Sequence, residues 1–257
     1  MKQFLTVGNW KMNTSLSEAL TLAQAIKTDL ESTIMPDVQI VICPPFPWIV
    51  SVSEIFMETN IKIGAQNISS QTIGPYTGEV AASMLSDICE YVIIGHSERR
   101  QSMRENNETI GRKVVTAINA GINPILCVGE TLSERQSNDT EGVIKKQISS
   151  ALVNIENPSQ LIIAYEPVWA IGTGLPASPS EVAEIIDNTI RPELRRIYGN
   201  LPAANTPILY GGSINHSNAM EFLKEDSIQG TLLGNASLNP KQFSRIARLT
   251  AEAKIST

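Results

Sequence analysis

The chain has 257 residues, 42% hydrophobic and 18% charged, so it can bury a full core in one large α/β domain or two small ones. Its formal net charge of −6 excludes an overall basic footprint for nucleic acid, and an anionic substrate must then be held by local amides or a lysine. No apolar stretch reaches the ~18–20 residues of a membrane helix, and Met1 to Trp10 is too short and polar to read as a signal peptide.

The first strand-like run is Phe4–Gly8, followed by Asn9 and Lys11. Leu16, Leu20, Ala23 and Ile26 then keep a helical period. The second and third runs are Val38–Cys43 and Ile61–Gly64, the latter followed by Gln66 and Asn67. Ser69 to Gly78 is the longest loop without apolar period, and its tip, Ile73 to Thr77, is apolar for an exposed loop. The fourth run, Tyr91–Gly95, leads into His96 and Glu98; the fifth, Pro124–Val128, into Gly129 and Glu130. A helical period at Val143, Ile144, Ile148 and Leu152 precedes the sixth run, Leu161–Tyr165, which ends in Glu166. Ser180-Glu181 after Pro179 reads as a helix start, and Val182, Ile185, Ile186 and Ile190 continue it. Gly212-Ser213 follow the seventh run, Ile208–Gly211, and Gly234-Asn235 the eighth, Gly230–Leu233. A helix from Lys241 to Lys254 closes the chain.

Each run is short, continuous and rich in Ile, Val and Leu, the pattern of strands buried on both faces of a parallel sheet. Eight β–α repeats without a long linker predict a single closed (β/α)8 barrel spanning residues 1–257, of α/β class, rather than an open sheet. An open sheet would more often show a Gly-rich turn after its first strand.

The polar residues that follow the strands are scattered along the chain, yet a barrel gathers them at its C-terminal mouth. The chain has two histidines. One, His96, follows a buried strand, and Glu166 ends another, which is an acid–base pair on rigid elements. Ser97-Glu98 after His96 reads as a helix-starting turn that aims amides at the ring. His216 reads as a surface residue at a helix start, and Arg99 and Arg100 as structural ion-pair residues. Cys43, Cys89 and Cys127 are odd in number and widely spaced, so they read as reduced thiols of a cytoplasmic protein.

The segments Gly8-Asn-Trp-Lys11, Gly64-Ala-Gln-Asn67, Thr77-Gly-Glu79, Gly95 to Arg100, Cys127-Val-Gly-Glu130, Ala164 to Gly174, Tyr210-Gly-Gly-Ser213 and Gly234-Asn-Ala-Ser237 together resemble the triosephosphate isomerase family from end to end. The resemblance implies a TIM barrel that interconverts dihydroxyacetone phosphate and glyceraldehyde 3-phosphate, as in glycolysis and gluconeogenesis. It implies Glu166 as the base that moves a proton between neighbouring carbons. His96 is then a neutral imidazole bonded to the substrate oxygens. Lys11 lends positive charge, Asn9 bonds a substrate oxygen, and Glu98 holds Lys11. Gly172, Ser213, Gly234 and Asn235 supply phosphate-binding amides. Pro167 to Gly174 form a lid, with Trp169 as lid packing, and Cys127 is a small buried residue behind Glu166. The loop holding Thr77 meets a second subunit in a symmetric homodimer. Proton transfer beside a carbonyl can be run by side chains, so no metal or organic cofactor is expected.

Two positions depart from the family pattern. Asn235 stands where a second glycine is usual, and the amide is expected to survive because Asn tolerates positive φ. Leu175 and Pro176 end the lid and are expected to change its opening only modestly. Two alternatives stay open on the residues alone: an isomerase of a four-carbon ketose phosphate, and a phosphosugar-binding barrel without turnover.

Overall fold

A computed structural model of the chain describes residues 4–31, 33, 35, 37–170 and 177–255. Among them eight parallel strands close into a barrel in chain order, with the first paired to the last. They are β1 (Phe4–Asn9), β2 (Val38–Cys43), β3 (Ile61–Ala65), β4 (Tyr91–Ile94), β5 (Asn123–Val128), β6 (Ile162–Tyr165), β7 (Ile208–Tyr210) and β8 (Gly230–Leu233). The expected runs therefore hold to within a residue at either end.

Helices cover the outside. They are α1 (Leu16–Glu31), α2 (Ile49–Phe56), α3 (Ser97–Ser102), α4 (Asn107–Asn119), α5 (Leu132–Gln136), α6 (Thr140–Leu152), α7 (Pro179–Ile185), α8 (Arg191–Tyr198), α9 (Asn200–Asn205), α10 (Ala219–Leu223) and α11 (Pro240–Ile255).

The strand period of two divides the core. Leu5, Val7, Val41, Tyr91, Ile93, Ile125, Cys127, Ile162, Ala164, Leu209 and Leu232 fill the barrel interior. Their alternates, such as Ile42, Val92, Ile94, Leu126, Ile163 and Leu233, pack outward against the helices. Both faces of the strands thus meet apolar neighbours, which is why the runs carry no polar alternation. Full burial of one such side chain contributes about 1.5–3 kcal/mol.

The same alternation sets the site. Continuing the inner face of β6 from Ile162 and Ala164 places Glu166 over the barrel mouth. Continuing β1 from Leu5 and Val7 places Asn9 in the same layer.

The helix start expected at Ser180-Glu181 lies two residues earlier. The Ser178 hydroxyl accepts from the Glu181 amide at 3.2 Å, the Glu181 carboxylate accepts from the Ser178 amide at 2.9 Å, and Pro179 takes the first turn. This reciprocal cap outranks a serine placed after the proline. Between α7 and α8, Ile186–Ile190 form a π-helical turn. Pro192 explains it: the ring has no N–H to donate and crowds the carbonyl four residues back, and the wider turn relieves both.

Candidate active site

Glu166 follows β6 and is 2% exposed. Its Oε2 accepts from the Ser97 amide at 3.0 Å, and its Oε1 lies 3.2 Å from His96 Nε2. Two glycines from the flanking strands make room for it. A Cβ at Gly129 would stand 1.8 Å from the Glu166 carbonyl oxygen, and one at Gly211 would stand 2.9 Å from its Cγ. Any side chain at either position must displace the carboxylate or its backbone.

His96 caps the first turn of α3, as the Ser97-Glu98 pattern anticipated. Its Nδ1 accepts from the Glu98 amide at 3.3 Å, while the Glu98 carboxylate is farther, at 3.7 Å. The nearer group is a donor, so Nδ1 serves as acceptor. In the neutral ring the proton then sits on Nε2, the nitrogen that faces Glu166.

Lys11 follows β1 in the left-handed region, at φ 54°. Three bonds hold a lysine in that conformation. The Asn9 side-chain oxygen accepts from the Lys11 amide at 3.0 Å, the Gln66 side-chain amide donates to the Lys11 carbonyl at 2.9 Å, and Lys11 Nζ donates to Glu98 Oε1 at 2.6 Å. Gly234 lies beneath the lysine, where a Cβ would approach its Cε to 3.2 Å. The ion pair with Glu98 is half-exposed, so its value is positional more than energetic.

Asn9, Lys11, His96, Glu166, Ser213, Gly234 and Asn235 share one cavity of about 260 Å³ at the C-terminal mouth. A somewhat larger cavity, about 290 Å³, opens beside Val38, Asn60 and Ile61 at the N-terminal end of the strands. Lys27, Glu31 and Glu58 line it and no histidine does among the described residues, and barrels of this kind carry their chemistry at the opposite face. Among the described residues no group of three His, Cys, Asp or Glu is placed to hold a metal.

Cys127 is buried below Glu166 in the barrel interior. Burial, then the Glu166 carboxylate, pushes its thiol well above the ordinary range, so it stays protonated and unreactive. Cys43, Cys89 and Cys127 are all free and buried.

The Ser213 hydroxyl donates to the Ala170 carbonyl at 2.6 Å, fastening β7 to the segment after Glu166. Asn235 begins a 3-10 turn, Asn235–Leu238, and is not among the residues at positive φ. The tolerance of Asn for positive φ therefore has no bearing there. The turn uses ordinary helical backbone, which any residue supplies. Gly172, Leu175 and Pro176 lie outside the described residues.

Thr77 lies on the exposed loop after β3, away from the cavity. His216 is exposed in the turn before α10, as expected. Arg99 pairs with Glu105 at 2.6 Å, whereas Arg100 binds neutral oxygens: the carbonyls of Gly95 and Cys127 and the side chain of Asn107. The ion-pair reading thus holds for Arg99 and is corrected for Arg100.

Sequence reasoning gave no role to the Ser97 amide or to Glu130. Glu130 is fully buried and accepts from Trp169 Nε1 at 2.9 Å and from the Tyr165 hydroxyl at 3.1 Å. The Arg135 guanidinium stacks over the Trp169 ring at 4.4 Å. Glu130 and Trp169 sit in the quoted motifs, but only the closed barrel brings them together.

The triosephosphate isomerase family model matches residues 4–250. The triosephosphate isomerase of Dehalococcoides mccartyi is 46% identical over 254 residues, covering 99% of this chain and all of the relative. Those of Alkaliphilus oremlandii and Aquifex aeolicus are each 44% identical, covering 95% and 94% of this chain and 98% and 97% of the relatives.

Proposed function

The chain belongs to the triosephosphate isomerase family and interconverts dihydroxyacetone phosphate and D-glyceraldehyde 3-phosphate, and from that premise we propose how its residues divide the reaction. Glu166 is the base. It takes a proton from the carbon beside the carbonyl and returns it to the neighbouring carbon. The His96 Nε2 proton bonds the two substrate oxygens as charge develops on them. Lys11 and Asn9 stabilise the same charge, and their positions are fixed before substrate arrives, which avoids reorganisation during the reaction.

The observation that carries this reading is the pairing of Glu166 Oε1 with His96 Nε2 at 3.2 Å over a cavity that Lys11 also lines. The base is buried, in a cavity of small-molecule size. Amides of Ser213, Gly234 and Asn235 on the same cavity fit the phosphate; Gly172 is assigned with them from its motif. Glu98 holds Lys11, and Cys127 supports Glu166 from below.

The four-carbon and non-catalytic readings are not favoured by these relatives. A coupled turnover assay with three- and four-carbon ketose phosphates tests the choice. Turnover of the triose should exceed that of the tetrulose by orders of magnitude; equal rates would overturn the assignment.

The whole of residues 1–257 works as one barrel domain, as a cytoplasmic homodimer without nucleic-acid partners. Three free, buried cysteines suit a reducing compartment. The apolar side chains of Met12, 97% exposed, and Ile73, 85% exposed, together with Tyr76, Met84 and Met103, suit a subunit contact formed around Thr77.

A further inference from the structure

We propose that Arg100 is a positioning residue for His96, clamping the ends of β4 and β5 so that the imidazole is held in line with Glu166. The proposal rests on the reading of His96 given above. The β4–β5 pairing ends at Ile94 and Leu126. Beyond it Gly95 turns into the left-handed region, at φ +72°, and His96 leaves the barrel wall. The ladder therefore stops two residues before the imidazole.

The Arg100 guanidinium takes over from that point. Nε donates to the Gly95 carbonyl at 2.8 Å, Nη2 to the Cys127 carbonyl at 2.9 Å, and Nη1 to Asn107 Oδ1 at 2.7 Å. One rigid plane thus ties the peptide leading into His96 to β5 and to the first residue of α4. A lysine, with a single ammonium, cannot span three such acceptors in one plane. Gly95 leaves the room this requires, since a Cβ there would stand 3.1 Å from Nη2.

Burial works against the Arg100 charge, and the Glu166, Glu105 and Glu134 carboxylates support it, with the protonated Cys127 thiol also close by. The groups facing the clamp are therefore Cys127 from β5, Glu166 from the end of β6, Glu105 from the turn before α4 and Glu134 from α5. A half-buried cation held by neutral oxygens still gives up part of its hydration, a costly staple if its only task is to hold two strands. Placed behind the imidazole, it fixes the one side chain whose aim the reaction depends on.

The test uses Arg100→Lys, Asn107→Ala, His96→Gln and Arg100→Ala in the full chain, with kcat and KM measured for each. Imidazole 15N NMR is recorded on the first two, since the chain has only two histidines to assign. Arg100→Lys should lower kcat by about 10²-fold with KM changed less than about 3-fold, and should blur the His96 pattern toward a mixture of tautomers. Asn107→Ala should lower kcat by about 3–10-fold with the same signature, because it loosens the guanidinium without removing it. Guanidinium ion added to Arg100→Ala should restore part of the lost kcat.

Wild-type kcat, or an unaltered His96 pattern, in both Arg100→Lys and Asn107→Ala overturns the clamp. If Arg100→Lys does not fold, Asn107→Ala decides by the same two readouts. If His96→Gln itself turns over like the wild type, the reading of His96 fails, and the clamp fails with it for a separate and visible reason.

Discussion

Glu166 and His96 face each other: the carboxylate Oε1 lies 3.2 Å from the imidazole Nε2, and Oε2 accepts from the Ser97 amide at 3.0 Å. Both oxygens of the base are engaged by groups from the end of β4. A carboxylate has about four acceptor sites, so these bonds leave it able to take a further proton. They also fix its distance from the ring, which is the geometry that a proton transfer between adjacent carbons requires.

The ring tautomer follows from that geometry. The Glu98 amide donates to Nδ1, so the neutral His96 ring carries its proton on Nε2. Imidazole 15N spectra above neutral pH should show a protonated Nε2 and a bare Nδ1 for His96. A protonated Nδ1 in the neutral ring would contradict the hydrogen-bond assignment.

Two glycines beside the base should behave differently. At Gly129 a methyl group meets the Glu166 carbonyl oxygen, which is backbone and cannot yield, so Gly129→Ala should destabilise the fold by about 1–3 kcal/mol or more. At Gly211 it meets the Glu166 Cγ, which can move. Gly211→Ala should keep its Tm within a few degrees while kcat falls by about 10-fold or more. Thermal melts and kinetics on both variants check the contrast.

The cap of α7 should register in the pH dependence of stability. The Ser178 amide and hydroxyl bond the Glu181 carboxylate and hold it below the ordinary carboxylate range. A folded-state value depressed below the unfolded one contributes stability above the unfolded value, and that stability is lost as pH falls through the folded one. Ser178→Ala should cost about 1 kcal/mol near pH 7. The gap from wild type should narrow below about pH 4, where the carboxylate protonates. Urea melts at several pH values read it directly, and a gap that widens in acid would sink the argument.

The exposed loop makes the dimer testable. Replacing Ile73 and Tyr76 with aspartate removes apolar surface from a loop that makes no contact with the catalytic cavity. Sedimentation should show a dimer for the wild type and a shift toward monomer for the variant, with turnover falling in step. A fully active monomeric wild type at micromolar concentration would refute the assembly.

The barrel was legible because parallel strands are buried on both faces, so Val38–Cys43 and Gly230–Leu233 stand out as continuous apolar runs. The ends of the first and sixth runs then placed Asn9 and Glu166 at the barrel mouth, and their roles came from the family motifs. Other features depend on atoms that meet only after closure. The Arg100 fork joins Gly95 to Cys127, and the Ser97 amide reaches Glu166, contacts with no periodicity to reveal them. At Asn235 the reason offered, tolerance of positive φ, does not apply, because this turn is 3-10 and its backbone suits any residue. Serines flank Pro179 on both sides, and only Ser178 stands three residues before Glu181, the spacing that a reciprocal cap needs.

The most direct measurement is exchange of the C1 hydrogen of dihydroxyacetone phosphate with deuterated water, followed by proton NMR, for the wild type and Glu166→Gln. The wild type should incorporate deuterium alongside turnover. Glu166→Gln should lose about 10³-fold or more of both while binding a phosphate analogue within about 3-fold of wild type. Exchange that persists near the wild-type rate in Glu166→Gln would show that another group takes the proton.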